Sequence, residues 1–161
     1  MHSPHSNSLF WSHTLWFMTD YAVPTFLKEI PDWIKFPELR FINRYDWIPV
    51  VFWAGGVYLL GELSWFSSLT GMNGMMCFIW GFVVPTILLY HGTFAVNSLT
   101  HLWGKKRFET GDESRNNAFV ALFTFGEGWH NNHHFFPGSA RQGFFKGELD
   151  MTYLGLRFLS F

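Results

Sequence analysis

Cysteine is almost absent from this 161-residue sequence, in which Cys77 is the only one. A single cysteine excludes an intramolecular disulfide and a cysteine-based zinc site. A metal bound by this chain therefore needs histidine, asparagine or carboxylate ligands. Because Cys77 lies in an apolar run, we interpret it as a small core residue.

Charged residues are also few. They make up 14% of the sequence, against 48% hydrophobic and 21% aromatic residues, and the net charge is -1. Because basic residues are not in excess, the sequence offers no basic surface for nucleic acid, and that class of partner is disfavoured. The apolar content is typical of a membrane protein. The first residues lack a basic segment followed by an apolar run, so we expect no signal peptide. No internal repeat occurs.

No lysine or arginine occurs between Arg44 and Lys105. This stretch predicts two membrane spans, Ile48 to Leu63 and Met75 to Val96, joined by a turn-rich loop over residues 64–74. Basic residues flank both outer ends, so both ends of the hairpin should face the cytoplasm. Two buried helices of a soluble core remain the alternative. Residues 1–45 are expected at the membrane interface, with short helices or turns between the prolines.

Three of the eight histidines lie within five residues: His130, His133 and His134. On a helix they share one face, and imidazole suits iron, zinc or copper. A surface histidine patch is the simpler alternative. Asn131 and Asn132 between them are poor helix formers, so we expect a bound metal to fix this backbone. A helix over residues 112–125 should lead into the cluster, and an amphipathic helix from Ser139 to Leu159 should follow it.

The cytoplasmic end of the second span carries polar residues where apolar ones are expected. His91, Phe94, Asn97 and His101 follow one stripe of the helix. Polar side chains at this depth are costly unless they line a cavity or meet a partner, so they are functional candidates. His101 is the strongest candidate, whereas His91 is better interpreted as hydrogen bonded to a neighbouring helix.

The motifs resemble those of the membrane fatty-acyl desaturases of the delta-9 type. The matching segments are Asn97-Ser98-Leu99-Thr100-His101, Gly-Glu-Gly-Trp-His-Asn-Asn-His-His at residues 126–134, and Phe10-Trp11-Ser12-His13 with Trp16. The resemblance implies an all-α, four-span fold with cytosolic histidine-rich helices that hold two irons, a di-iron centre. It also implies the site residues: His101, His130, His133 and His134 as metal ligands, Asn97 as a ligand through water, and His91, Phe94 and Trp129 beside the substrate tunnel.

The family's first two histidine boxes and its first pair of spans do not occur in this sequence. His2 and His5 have H-x-x-H spacing but lack the next histidine. We therefore expect residues 1–161 to be the C-terminal part of a desaturase domain with an incomplete di-iron centre. Within it we expect an interfacial segment at 1–45, a transmembrane hairpin at 46–97 and a cytosolic metal-binding cap at 98–161, with the N-terminal half as a missing partner.

The resemblance implies insertion of a cis double bond into acyl-CoA or acyl-lipid, using dioxygen and electrons from cytochrome b5 or a ferredoxin. Membrane lipid is the remaining expected partner, and the chain alone should be inactive. Three alternatives stay open: a related membrane di-iron hydroxylase, a zinc-binding membrane hairpin, and a catalytically inactive remnant.

Overall fold

The computed structural model describes residues 8–19 and 27–160, which form helices joined by turns. The α-helices are α1 (Leu9–His13), α2 (Pro37–Arg44), α3 (Trp47–Glu62), α4 (Ser64–Thr70), α5 (Gly74–Leu102), α6 (Ala118–Phe123), α7 (His130–Phe135) and α8 (Met151–Leu159). Short 3₁₀ helices lie at Leu15–Met18, Leu27–Glu29 and Trp33–Lys35. Within the described residues β pairing is limited to isolated bridges, so the predicted all-α class is confirmed. Two parts of the expected interfacial segment, residues 1–7 with His2 and His5 and residues 20–26, lie outside the described residues.

One compact unit comprises residues 24–89. In it α3 packs against the first turns of α5, and glycine makes the close approach possible. A Cβ on Gly61 would lie 2.7 Å from the backbone of Asn73, so any larger residue would clash there. Glu62 closes the contact, because its Oε1 accepts a hydrogen bond from the Gly74 backbone N–H at 3.0 Å.

The helix α5, with 29 residues, is the one described helix that is by itself long and apolar enough to cross a membrane, and a window of 18 residues within it has a mean hydropathy of 1.6. It extends beyond the predicted second span at both ends. α3 and α4 together reach a sufficient length, but they meet at a bend of 76°. The predicted loop at 64–74 was wrong over Ser64–Thr70, which is helical. Serines are tolerated there, and the left-handed Gly71 (φ 72°) ends the helix.

A π-helical segment, Ile79–Val83, interrupts α5 just before Pro85. Proline has no N–H to donate to the carbonyl four residues earlier, and its ring crowds that carbonyl. A widened turn next to a proline relieves this conflict without ending the helix. The helix therefore continues to Leu102.

The other unit comprises residues 1–23 and 90–161. Here α1 and the following 3₁₀ helix pack on the C-terminal part of α5, where the ring of Phe17 stacks on the buried Phe94 with centroids 5.0 Å apart. Asn117 caps α6 by accepting from the Val120 N–H at 3.0 Å. A Cβ on Gly128 would lie 2.1 Å from the Ala121 nitrogen, so glycine is required where the chain passes α6 on its way to α7.

Two predicted helices are shorter than expected. The final helix begins at Met151, not at Ser139, because the Asp150 carboxylate accepts hydrogen bonds from the backbone N–H groups of Gln142 (2.6 Å) and Gly143 (3.1 Å) and thereby holds a loop. The same side chain caps α8. Residues 112–117 are likewise not helical, and α6 starts only at Ala118.

Candidate metal centre

Three imidazoles from two distant parts of the chain meet in this unit. His101 lies in the last turn of α5, and His130 and His134 lie on α7. The Nε2 atoms of His101 and His130 are 3.2 Å apart, and one nitrogen from each of the three rings fits within 4.8 Å of the others. The predicted approach of His101 to the 130–134 cluster is therefore confirmed.

His133 lies beside this group but outside it. Its ring centroid is 6.1 Å from that of His130 and 5.7 Å from that of His134. His133 lines a cavity of about 300 Å³ together with His130, Asn97, Glu127 and Gln142, among others. Its Nδ1 is buried and has no hydrogen-bond partner among the described residues. Asn97, which the sequence predicts as a ligand through water, thus shares a cavity with two of the predicted histidine ligands.

Two histidines of α7, His130 and His133, are held in the neutral form. Burial, and then the neighbouring His134, His101 and His133, lowers the pKa of His130 to about 3. Burial, and then His134, also lowers the pKa of His133. Neutral imidazole keeps a lone pair for a metal ion.

The residues present fit a metal ion. Two imidazole nitrogens 3.2 Å apart, as in His101 and His130, have the spacing of adjacent ligands that each lie about 2 Å from one ion. All the histidine donors are nitrogen atoms, which suit iron, zinc or copper. The orphaned Nδ1 of His133 supplies a further donor at the side of the cavity.

Asp112 orients His134, a contact that the sequence analysis did not predict. One carboxylate oxygen accepts from His134 Nδ1, so the lone pair of its Nε2 faces the cluster. The other oxygen accepts from the Ser114 N–H at 2.9 Å and the Thr110 hydroxyl at 2.8 Å. Partial burial opposes ionisation of Asp112, but the hydrogen bonds from Ser114 and Thr110 outweigh it and lower the pKa well below its usual range.

Asp112→Asn should weaken metal binding about 10- to 100-fold, the usual effect of losing a carboxylate behind a histidine ligand. Asparagine has one acceptor oxygen, whereas Asp112 uses both of its oxygens. Metal content after dialysis against graded chelator concentrations measures the change, with the two halves of the domain co-expressed. Glu109→Gln is the matched control, since the Glu109 side chain is 91% exposed. Equal metal retention by Asp112→Asn and the wild type would contradict this role.

The backbone of α7 is held by hydrogen bonds of its own asparagines, a contribution beside the metal that the sequence did not indicate. Asn131 is fully buried: its Oδ1 accepts from the N–H groups of Arg107 (2.8 Å) and Phe108 (2.7 Å), and its Nδ2 donates to the Phe108 carbonyl (2.9 Å). The basic turn after α5 is thereby tied to the histidine helix. Poor intrinsic helix propensity is overcome by tertiary hydrogen bonds.

Asn132 is also fully buried, and it ties α7 to two other segments. Its Oδ1 accepts from Asn116 Nδ2 at 2.7 Å and from the Arg107 guanidinium at 3.1 Å. Its Nδ2 donates to the Gln142 carbonyl at 2.8 Å and to Glu148 at 2.9 Å. Arg107 also pairs with Glu148 at 2.5 Å, which completes a closed polar network behind the histidines.

The remaining predicted site residues lie elsewhere in the unit. His91 Nδ1 is 3.1 Å from His13 Nε2, in agreement with a structural hydrogen bond. His13 Nδ1 is in turn 2.9 Å from the Ser98 hydroxyl, which donates to the Phe94 carbonyl at 2.6 Å. Trp129 is buried with its indole N–H bonded to the Leu149 carbonyl at 2.8 Å. The roles of His91, Phe94 and Trp129 at a substrate tunnel stay predictions.

Glu127 is a cavity residue to which the sequence assigned no function. It lines the cavity beside His130 and His133, and partial burial raises its pKa. Its place three residues before His130 in a motif rich in histidine was the available signal. A carboxyl group with a raised pKa is suited to hold a proton near the cluster.

A family model described as fatty acid desaturase matches residues 2–142. The chain is 37% identical over 161 residues to the chloroplastic palmitoyl-monogalactosyldiacylglycerol delta-7 desaturase of Arabidopsis thaliana, covering 97% of this chain and 40% of that protein. It is 34% identical over 153 residues to an sn-2 palmitoyl-lipid 9-desaturase of Nostoc sp. (strain 36), covering 92% and 50%. An icosanoyl-CoA 5-desaturase of Limnanthes douglasii is 44% identical over 102 residues, covering 63% and 29%. The chain thus spans half or less of the length of these relatives.

Proposed function

Because the chain belongs to the fatty acid desaturase family, we propose that it supplies part of the metal centre of an enzyme that introduces a cis double bond into a fatty acyl chain. The observation that carries this proposal is the cluster of His101, His130 and His134 on two helices, with His133 beside it. Removing hydrogen from an unactivated methylene needs a strong oxidant, and histidine-bound iron is suited to produce one.

We propose that the group bound here is a pair of iron ions, held by His101, His130, His133 and His134, with Asn97 acting through water. When bound, histidine-ligated iron would supply the oxidising chemistry, in which dioxygen, two electrons and two protons combine with the two hydrogens removed from adjacent methylenes to give two waters. Cytochrome b5 or a ferredoxin is the proposed electron donor.

The protein's own residues bind the metal ions, orient the ligands and exclude water. The neutral imidazoles present nitrogen lone pairs, and Asp112 fixes which nitrogen of His134 faces the cluster. The amides of Asn131 and Asn132 hold α7 in place. Glu127 is suited to keep a proton at the cavity, where protons are consumed as dioxygen is reduced to water.

The acyl carrier and the position of the double bond are proposed more broadly than the sequence resemblance implies. The names of the three relatives give the numbers 7, 9 and 5 and both lipid and CoA carriers. We propose an acyl-lipid or acyl-CoA substrate, with delta-9 as the first position to examine in the products.

We propose that α3 and α5 form a membrane hairpin whose outer ends and metal centre face the cytoplasm. The exposed apolar surface of α5 and the absence of lysine and arginine between Arg44 and Lys105 support this placement. It follows that residues 64–70 lie on the opposite side of the membrane.

A cysteine at Ser68 should react with a membrane-impermeant maleimide only from the non-cytoplasmic side. Ser68→Cys is made in a Cys77→Ala background, so that it carries the only thiol. Labelling of intact and of opened vesicles of known orientation measures the side. Lys106→Cys in the same background is the control for the cytoplasmic side. Reaction of both thiols from one side would contradict the hairpin.

We also propose that activity requires the half of the domain that carries the other histidine boxes. Four histidines divided between two irons leave about two protein ligands for each, fewer than a redox metal site needs for defined geometry. A desaturase-deficient host should therefore form unsaturated acyl chains when this chain is co-expressed with the N-terminal half of a relative, and not when it is expressed alone. Fatty acid analysis by gas chromatography measures the products. Clear activity from the chain alone would contradict the proposal.

A further inference from the structure

An apolar groove with two arginines lies in the segment that precedes the apolar helix α3. It has a volume of about 460 Å³ and is formed by the 3₁₀ helices at 27–29 and 33–35 together with α2. Trp33, Ile34, Leu39 and Ile42 contribute apolar surface to it, and Trp33 is 60% exposed. This volume is within the range of small-molecule sites, and the lining suits a hydrocarbon chain.

Arg40 and Arg44 supply the charge of the groove. They lie four residues apart on α2, and both line the groove. Among the side chains that the structure describes, which do not include that of Glu29, no carboxylate pairs with either arginine, and Asp32 and Glu38 are not part of the groove lining. Two guanidinium groups beside apolar surface are complementary to a phosphate that is attached to a hydrocarbon chain.

The groove leads directly into the apolar part of the chain. α3 begins at Trp47, three residues after Arg44, and its apolar side chains are exposed, for example Val51 and Phe52. Tryptophans such as Trp33 and Trp47 are enriched at the level of lipid headgroups. A groove at this point of a membrane protein lies at the depth where phosphate and acyl chain meet.

We propose that this groove binds an anionic phospholipid, with the phosphate between Arg40 and Arg44 and an acyl chain along Trp33, Ile34, Leu39 and Ile42. The proposal rests on the membrane placement proposed above. It concerns a lipid that is bound and not transformed, because the groove shares no residue with the metal centre. Bound lipid would fix the segment of residues 27–46 at the start of α3.

Trp33 makes the site measurable. The full 161-residue chain is placed in nanodiscs of phosphatidylcholine that contain the same mole fraction of brominated phosphatidylglycerol or brominated phosphatidylcholine. Bromine quenches tryptophan fluorescence on contact, and the difference between wild type and Trp33→Phe isolates the Trp33 signal. Brominated phosphatidylglycerol should quench this signal roughly 25-fold more effectively, since each of the two arginines favours anionic lipid by a factor of about five.

Arg40→Gln with Arg44→Gln should abolish this preference, whereas Lys28→Gln with Lys35→Gln, which removes the same charge outside the groove, should leave a clear preference, because contact quenching of Trp33 reports the lipid held in the groove. Equal quenching of wild-type Trp33 by the two lipids overturns the site without any variant, as does an equal loss in both double variants. Quenching of the other tryptophans by brominated phosphatidylcholine reports membrane insertion separately. Its absence would contradict the membrane placement itself.

Discussion

His130→Ala is expected to abolish desaturation by the co-expressed halves and to reduce bound iron. His130 is buried, and its Nε2 is 3.2 Å from that of His101, so no other side chain can take its place. The loss should exceed the roughly 100-fold effect of removing a hydrogen-bond partner behind a ligand. Unsaturated acyl products and iron content, measured on the same preparations, check this result.

Two further variants make the result specific. His133→Ala should also abolish activity, although His133 lies outside the group of three, because we propose that it serves as a ligand beside the cavity. Glu109→Gln should leave activity within about twofold, since the Glu109 side chain is 91% exposed and surface substitutions away from a site are usually near neutral. Activity that survives His130→Ala would remove His130 from the metal centre, and activity that survives His133→Ala would remove only His133.

Asn132→Ala is expected to lower the free energy of unfolding by about 2 to 6 kcal/mol, because it leaves two polar groups unpaired at about 1 to 3 kcal/mol each. The groups that lose their partner are Asn116 Nδ2 and the Gln142 carbonyl, whereas Glu148 Oε2 keeps the hydrogen bond from the Phe145 N–H at 3.2 Å. Chemical denaturation of the full chain in mild detergent, followed by circular dichroism, measures the change.

Asn97→Ala is the matched control for stability. Asn97 is half-buried, and the described residues form no hydrogen bond with its side chain, so its removal should change the free energy of unfolding by less than about 1 kcal/mol. A similar decrease in both variants would show that the hydrogen bonds of the Asn132 amide do not contribute more to the free energy of unfolding than the half-buried side chain of Asn97 does.

The site was predictable where it depends on spacing along one helix. Helical geometry places positions i, i+3 and i+4 on one face of α7, and these are His130, His133 and His134. His101 was identified because a polar side chain at the end of an apolar helix is energetically costly unless it has a function. Asp112 and Glu127 were not assigned, since the turn that brings Asp112 to His134 is set by contacts 22 residues apart. Tertiary pairing of this kind leaves no periodic signal.

The errors in the fold have the same origin. The stretch from Ser139 to Asp150 has an amphipathic pattern, yet Asp150 uses its carboxylate to hold the backbone N–H groups of Gln142 and Gly143. A side chain that satisfies backbone donors offers the chain an alternative to a helix. Ser64–Thr70 shows the opposite case, in which turn-forming residues remain helical because the last turn ends at the left-handed Gly71.

The hydrogen bonds around His13 have a fixed direction. The Ser98 hydroxyl has one hydrogen, which it donates to the Phe94 carbonyl, so it can only accept from His13 Nδ1. Neutral His13 then has no proton on Nε2 and must accept from His91 Nδ1, and burial, followed by His91, lowers the pKa of His13, in agreement with the neutral ring. The tautomer of His13 is thereby determined by one serine hydroxyl, and His91 donates its Nδ1–H to the His13 ring. Reversing these hydrogen bonds would require the Ser98 hydroxyl to turn away from the Phe94 carbonyl. A serine inside the helix therefore sets the direction of the hydrogen bond between two histidines.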